Sequence, residues 1–389
     1  MALTGWGLPA LLALLSIAAF AGLVAWWPRL SGPGAPRLAA RAGTLLGTNA
    51  LVLLLAGALL NAQFQFFADW SDLAHAVTHA PAGSSASGGG RVAAAAAAHV
   101  VGAAAVAATR LPPLPPDAGT QKWLTYTVRG RVSGLTGRVV VRLPDGYTDP
   151  AAARRRYPVL EAFSGYPGEP EQWMEAMHVG GAVSGAEAAE RLGPVLVVSP
   201  QTEFPDGVDD ECVDGPSGTP QVETWLARDV PVWVAATFRV RTERTAWSTI
   251  GLSAGGWCAA MVAMHHPAQF AAAVVLGGYF RPLFGPLYRP FAPGSAAAAP
   301  YDLVRLARAD PPPVALWLQT SSADGTSYPT SAALLKAARA PLAVRATVLQ
   351  HAGHRLTVWR GLLPAALDWL GADVPGFRFA AAGTSPERG

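Results

Sequence analysis

The string GLSAG over residues 251–255 places a serine between two glycines, where a short β-rich run ending at Ile250 gives way to a helical run that Pro267 stops. A serine on a sharp strand-to-helix turn exposes its hydroxyl, and flanking glycines remove the Cβ atoms that would clash in so tight a bend. The chemistry this suits is nucleophilic attack by Ser253 on a carbonyl, with the next amide, that of Ala254, aimed where negative charge would develop.

A serine hydroxyl at neutral pH is a weak nucleophile and needs a base, itself oriented by an acid. Strand-turn-helix nucleophiles take these partners in the chain order Ser, acid, His. Asp324 follows the run VALWLQT, 71 residues after Ser253, and His354 follows VRATVLQ, another 30 residues on. His351 competes for the base position. Asp302 and Asp310 are weaker alternatives for the acid position because neither follows an expected strand. A second amide donor should come from the loop SGYPGEP after YPVLEAF, and Tyr166 is the candidate there.

These groups need a scaffold that presents strand ends side by side. From Lys122 onward short β-rich runs alternate with helical ones, expected strands being 123–128, 138–143, 158–163, 195–199, 246–250, 272–276, 314–319 and 344–349. Helices are expected over 222–235, 256–266, 331–339 and 357–370. Two early strands able to pair as a hairpin, followed by βα units, specify an α/β fold with a mostly parallel sheet and helices on both faces. Site residues then belong just after the strands.

The stretches YPVLEAFSGYPG, VETWLARDVPVWV, GLSAGG and the Gly-His pair followed by Trp359 together resemble the esterase branch of the α/β hydrolases. That branch includes esterase D and the secreted mycolyltransferases of the antigen 85 group. The resemblance spans roughly residues 120–370 and implies an α/β-hydrolase fold, with Ser253 as nucleophile, Asp324 as acid and His354 as base. Tyr166 and Ala254 would supply the oxyanion amides. Ala254 stands where Met is common in the family, and the acid is Asp where the mycolyltransferases use Glu, so mycolyl specificity does not transfer.

The rest of the chain is apolar enough to need a separate cause. It is 51% hydrophobic and 14% charged, against roughly 25% charge in an ordinary soluble domain. The N-terminal third supplies that cause. Residues 6–27 carry no charge and end in tryptophans, and a second apolar stretch runs over 44–67; each has the roughly 20 residues a bilayer-spanning helix needs. Arg29, Arg37 and Arg41 lie between them, and Asp69 and Asp72 follow, which puts the connecting loop in the cytoplasm and the rest outside. The Ala-rich run 92–109 is expected to lie on a surface or act as a tether. The resulting organisation is a two-helix membrane anchor over 1–70, an Ala/Gly/Pro-rich linker over 71–119, a catalytic domain over 120–375 and a disordered tail over 376–389.

Other features are read more plainly. Cys212 and Cys258 are a possible disulfide, which an extracytoplasmic domain could keep. The acidic run PDGVDDECVDG lacks EF-hand spacing and reads as a solvated loop. His265 and His266 fall where a helix ends and read as caps. The Pro-rich segment 281–300 lies where a cap over the site could be inserted. A net charge of +3, with no basic block, excludes a nucleic-acid footprint. No P-loop, HExxH pair or CxxC cluster is present, so no cofactor or metal is expected. The expected activity is ester hydrolysis on a small-molecule or lipid ester. The alternatives are acyl transfer to a sugar or lipid hydroxyl, and a tethered hydrolase fold that binds without catalysis.

Overall fold

In the computed structural model, which describes residues 3, 5–64, 66–67, 69–78, 111–115, 118 and 122–379, the β-rich runs form eight strands. They are β1 (Trp123–Arg129), β2 (Thr136–Arg142), β3 (Val159–Phe163), β4 (Leu196–Pro200), β5 (Trp247–Leu252), β6 (Ala272–Leu276), β7 (Ala315–Ser321) and β8 (Ala343–Leu349). One sheet contains them all, in the order β1-β2-β4-β3-β5-β6-β7-β8. β1 and β2 are the expected hairpin, and β2 pairs antiparallel with β4. From β4 through β3, β5 and β6 to β7 the pairings are parallel.

Position in the sheet explains composition. β3, β4, β5 and β6 are buried at every residue, because helices cover both faces of a parallel sheet, and they read as near-continuous apolar runs. β1, at an edge, alternates buried with exposed residues. The helices α4 (Val179–Ala188), α5 (Val230–Thr237), α6 (Ala254–His265), α7 (Leu303–Ala309), α8 (Tyr328–Ala337) and α9 (Leu356–Asp373) complete the layers. The helix expected over 222–235 is interrupted: a π-helical turn, Trp225–Asp229, precedes Pro231. Asp229 there accepts the amides of Arg131, Val132 and Ser133 from the β1–β2 turn. α4 and α7, unforeseen in the sequence, are short, with 10 and 7 residues.

The chain divides into two compact units. One holds the sheet and its helices. The other gathers the N-terminal helices with two short stretches from far along the chain, residues 321–326 and 349–355. In that unit α1 (Gly7–Leu30) and α2 (Ala35–Phe64) are both long and apolar enough to cross a membrane. α2 starts nine residues before the apolar stretch does, so Arg37 and Arg41 lie in its opening turns and the connection shrinks to residues 31–34. Arg41 explains the tight turn: its guanidinium donates to the carbonyls of Leu30 and Gly32 at 2.6 and 2.8 Å, satisfying acceptors that a helix end leaves open. Helix α3 (Trp70–Thr78) then forms in what composition reads as linker, its first turn closed by the Asp69 carboxylate accepting from the Asp72 amide. The Ala-rich run 92–109 and residues 380–389 lie outside the described residues.

Glu161 departs from the apolar pattern of the central strands. It sits in mid-β3 with 0% exposure, and both carboxyl oxygens lack a hydrogen-bond partner. Burial pushes its carboxyl well above the usual range. A carboxyl whose folded pKa is raised favours the folded state at pH values below its unfolded pKa, and that contribution is lost as pH rises above about 4. Glu161→Met should therefore stabilise the protein at pH 7–8 by about 1–3 kcal/mol, the cost of a buried unsatisfied polar group. The difference in melting temperature should shrink as pH falls toward 4, which thermal denaturation across pH would measure.

Candidate active site

β5 delivers Ser253 at the middle of the sheet, between β3 and β6. Ser253 has φ +54° and ψ −123°, a conformation that costs a non-glycine residue about 1–3 kcal/mol. Close backbone approach on both sides holds it there. A Cβ on Gly251 would lie 1.8 Å from the Gly255 carbonyl oxygen, and one on Gly255 would lie 2.2 Å from that of Phe163. No side chain fits at either position. The Ser253 amide donates to the Leu276 carbonyl at 2.9 Å, fixing the turn to the end of β6. Ala254 opens α6, so its amide is among the first-turn donors that have no partner within a helix, at the positive end of the helix dipole.

The loop after β3 is pinned by side chains that sequence reading did not single out. Gln172 accepts the Gly165 amide at 2.9 Å, and Glu203 accepts those of Gly168 and Gly207 at 2.8 and 3.0 Å. Pro167 has no amide proton. Within residues 165–168 this leaves the Tyr166 amide as the one not engaged by these side chains, while the Tyr166 hydroxyl donates to the Gly207 carbonyl at 3.1 Å. Nothing in their spacing marks Gln172, which opens a short helix (Gln172–Glu175), and Glu203, which lies in the loop after β4.

Tyr166 and Ala254 share a small recess with Glu203, Asp209, Asp210, Glu211 and both cysteines. The acidic run is not the solvated loop its composition suggests, since Asp210 and Glu211 are each 1% exposed. Asp210 accepts the amides of Phe204 and Cys212, and Glu211 accepts from the Tyr279 hydroxyl at 2.7 Å. Burial raises all four carboxyls, Asp209 to about 6 and Asp210 and Glu211 well above their usual range. Burial thus disfavours the ionised form of each, which lessens the negative charge of this acidic lining. Among the described residues no group of three or more His, Cys, Asp or Glu is placed to hold a metal ion.

A disulfide joins Cys212 to Cys258, with Cα atoms 5.7 Å apart, and ties the acidic loop to α6. His265 and His266 are not simple helix caps. Both ring systems bond Glu223, at 3.0 and 2.8 Å, and Tyr301 donates to the same carboxylate. Burial alone would raise the Glu223 carboxyl, but the two histidines hold it well below its usual range. The segment 281–300 carries no helix or strand until a short 3₁₀ turn at Ala299–Tyr301.

In the other unit the loops after β7 and β8 bring the predicted acid and base together. His354 Nδ1 lies 2.8 Å from Asp324 Oδ2, with both residues buried. The Asp324 loop is shaped locally: its amide donates to the Ser321 carbonyl at 2.9 Å, and its Oδ1 accepts the Thr326 amide at 3.0 Å. The Ser321 hydroxyl accepts the Ala323 and Ala352 amides, linking the two loops. His351 is exposed and faces Asp69 Oδ2 at 3.3 Å. Asp302 caps α7 and pairs with Arg281. Trp359 packs over Gly277 (φ +59°), where an added Cβ would meet its indole at 2.5 Å.

A mostly parallel, helix-covered sheet with a strained serine on a strand-to-helix turn defines the α/β-hydrolase class. The family model described as Esterase matches residues 134–370, and the chain belongs to that family. An uncharacterised protein of Corynebacterium glutamicum is 29% identical over 164 residues, covering 42% of this chain and 37% of that protein, so the chain spans well under half the length of that relative. A ferulic acid esterase structure is similar with a TM-score of 0.54 and 19% identity, over 64% of this chain and 96% of that one. An S-formylglutathione hydrolase from Agrobacterium tumefaciens gives 0.53 and 16%, over 65% and 95%. A fluorophosphonate-binding serine hydrolase of Staphylococcus aureus gives 0.51 and 15%, over 64% and 97%.

Because the disulfide closes a loop of 46 residues, replacing both cysteines by serine should cost roughly 4 kcal/mol on the chain-entropy account. Denaturant titration of the two forms would read it, and a loss below about 1 kcal/mol would show that packing alone holds the acidic loop.

Proposed function

We propose that the chain is a membrane-anchored esterase that acts outside the cytoplasm through an acyl-Ser253 intermediate. The observation that carries this reading is the strained, glycine-flanked Ser253 in a chain that also holds a buried His354–Asp324 pair. His354 takes the proton of the Ser253 hydroxyl as Oγ adds to the ester carbonyl carbon. The carbonyl oxygen becomes an oxyanion, received by the Tyr166 and Ala254 amides. Collapse breaks the bond to the alcohol, which leaves with the proton from His354. Water then gives a proton to His354 and attacks the acyl carbon, and the acid departs as Ser253 recovers its proton. Asp324 fixes the imidazole tautomer and stabilises the imidazolium.

The substrate class is a small-molecule or lipid ester, since the acyl-enzyme route needs only a carbonyl and a leaving alcohol. Lipid solvation is supported by the two N-terminal helices, where only 11% and 6% of the most apolar windows are buried. Ile17, Leu46 and Leu53 are 67%, 69% and 72% exposed, which water would oppose and lipid would not. The arginines at the α1–α2 connection support a cytoplasmic side for that turn. The Cys212–Cys258 disulfide suits an oxidising compartment outside.

Purified full-length protein should react with a fluorophosphonate probe and hydrolyse p-nitrophenyl esters. Ser253→Ala and His354→Ala should each lose on the order of 10⁶-fold in kcat and Asp324→Asn about 10⁴-fold, by analogy with other serine hydrolase triads. A folded wild type that neither labels nor hydrolyses would leave the tethered binding protein as the reading. Adding acceptor alcohols to the same assay separates hydrolysis from acyl transfer. For location, a membrane-impermeant fluorophosphonate should label Ser253 as fully in intact cells as in lysed ones. Labelling that requires lysis would reverse the topology.

A further inference from the structure

Both chain neighbours of His354 are held by one carboxylate. Asp72, on α3, is 2% exposed. Its Oδ2 accepts the Gly353 amide at 3.1 Å, and its two oxygens take the two terminal nitrogens of the Arg355 guanidinium. Arg355 also donates to the Phe66 carbonyl at 3.0 Å, and its Cζ lies 5.1 Å from the centre of the Phe67 ring. Phe67 is fixed in turn: the Asn61 side chain, near the end of α2, accepts its amide at 2.8 Å and donates to its carbonyl at 3.1 Å. Hydrogen bonds, the Phe66–Phe67 backbone and the Arg355–Phe67 ring contact therefore link the end of the second apolar helix to the residues on either side of His354.

We propose that Asp72 is a positioning residue for the catalytic base, so that the helical anchor forms part of the catalytic apparatus as well as a tether. Three features support this. The Arg355–Asp72 contact is bidentate and partly buried, and a forked pair fixes orientation as well as distance. Gly353 has no side chain, so its amide bond to Asp72 is its means of attachment to α3. Asp324 bonds the ring of His354, whereas Asp72 bonds the backbone amide at position 353 and the side chain at position 355. Displacement of a reacting group by about 1 Å is enough to cost on the order of 100-fold in rate.

The inference rests on the reading of His354 and Ser253 as base and nucleophile, and the test keeps the two apart. Full-length protein in detergent micelles is assayed as wild type, Ser253→Ala, Asp72→Asn and Arg355→Lys, with p-nitrophenyl ester turnover, fluorophosphonate labelling and thermal denaturation. Asp72→Asn keeps the size of the side chain and an acceptor for Gly353 but removes the charge facing Arg355; Arg355→Lys keeps the charge but removes the fork. The expected result is a fall in kcat of about 10- to 100-fold in each, with KM within about twofold and a matching fall in labelling rate while the protein remains folded. Hydrogen exchange of the peptide spanning residues 349–358 should quicken in both. Wild-type kcat in folded Asp72→Asn and Arg355→Lys, or a loss that tracks only the unfolded fraction, would overturn the positioning role while leaving the Ser253 reading intact. A wild type whose labelling survives Ser253→Ala would overturn that reading and this inference together.

Discussion

The conformation of Ser253 depends on how closely backbone can approach backbone. A φ of +54° at a residue with a Cβ persists because the strand, the turn and the first turn of α6 leave no room to relax. Gly251 and Gly255 meet carbonyl oxygens where side chains would stand, and a Cβ on Gly256 would lie 2.9 Å from Gly278 Cα. That packing requires β3 and β6 on either side of β5, which in turn requires the parallel order and the helices that complete it. The strain at one residue is thus distributed over the contacts of four elements.

Electrostatics around the turn follow from the same burial. The recess beside Tyr166 and Ala254 is acidic by composition, and burial of carboxyls such as Asp210 and Glu211 disfavours their ionised form. Elsewhere the same principle runs the other way. Glu223 is buried but keeps its charge, because two histidines and a tyrosine hydroxyl replace the lost water.

The division of the chain gives the N-terminal helices a second meaning. Composition sets them apart as an apolar anchor, and their lipid-compatible surface agrees with that. Yet residues 321–326 and 349–355, which carry Asp324 and His354, group with them. Gly353 and Arg355, on either side of His354, are held by Asp72 in the segment that follows α2. On the proposed reading, that polar network would join the N-terminal segment to the base.

Much of this was legible beforehand, for identifiable reasons. Strand positions and the α/β order follow from apolar runs of strand length between helical periods, and the Ala272–Leu276 strand falls where its residues placed it. The elbow at Ser253 is local: two glycines and a strand-to-helix transition lie within a few residues, so the sequence alone determined it. The same holds for the apolar character of the N-terminal helices. The rest required tertiary structure because its partners are distant in the chain. Burial of the acidic loop depends on Phe204, Cys258 and Tyr279, from three separate elements, and no pattern within PDGVDDECVDG records it. Asp72 and Arg355 are 283 residues apart, and a pair at that separation has no periodicity to betray it. Sequence specifies what a residue can do and which local geometry it prefers; only the folded chain decides which groups lose their water together, and those groups are the ones whose charges and hydrogen bonds matter most.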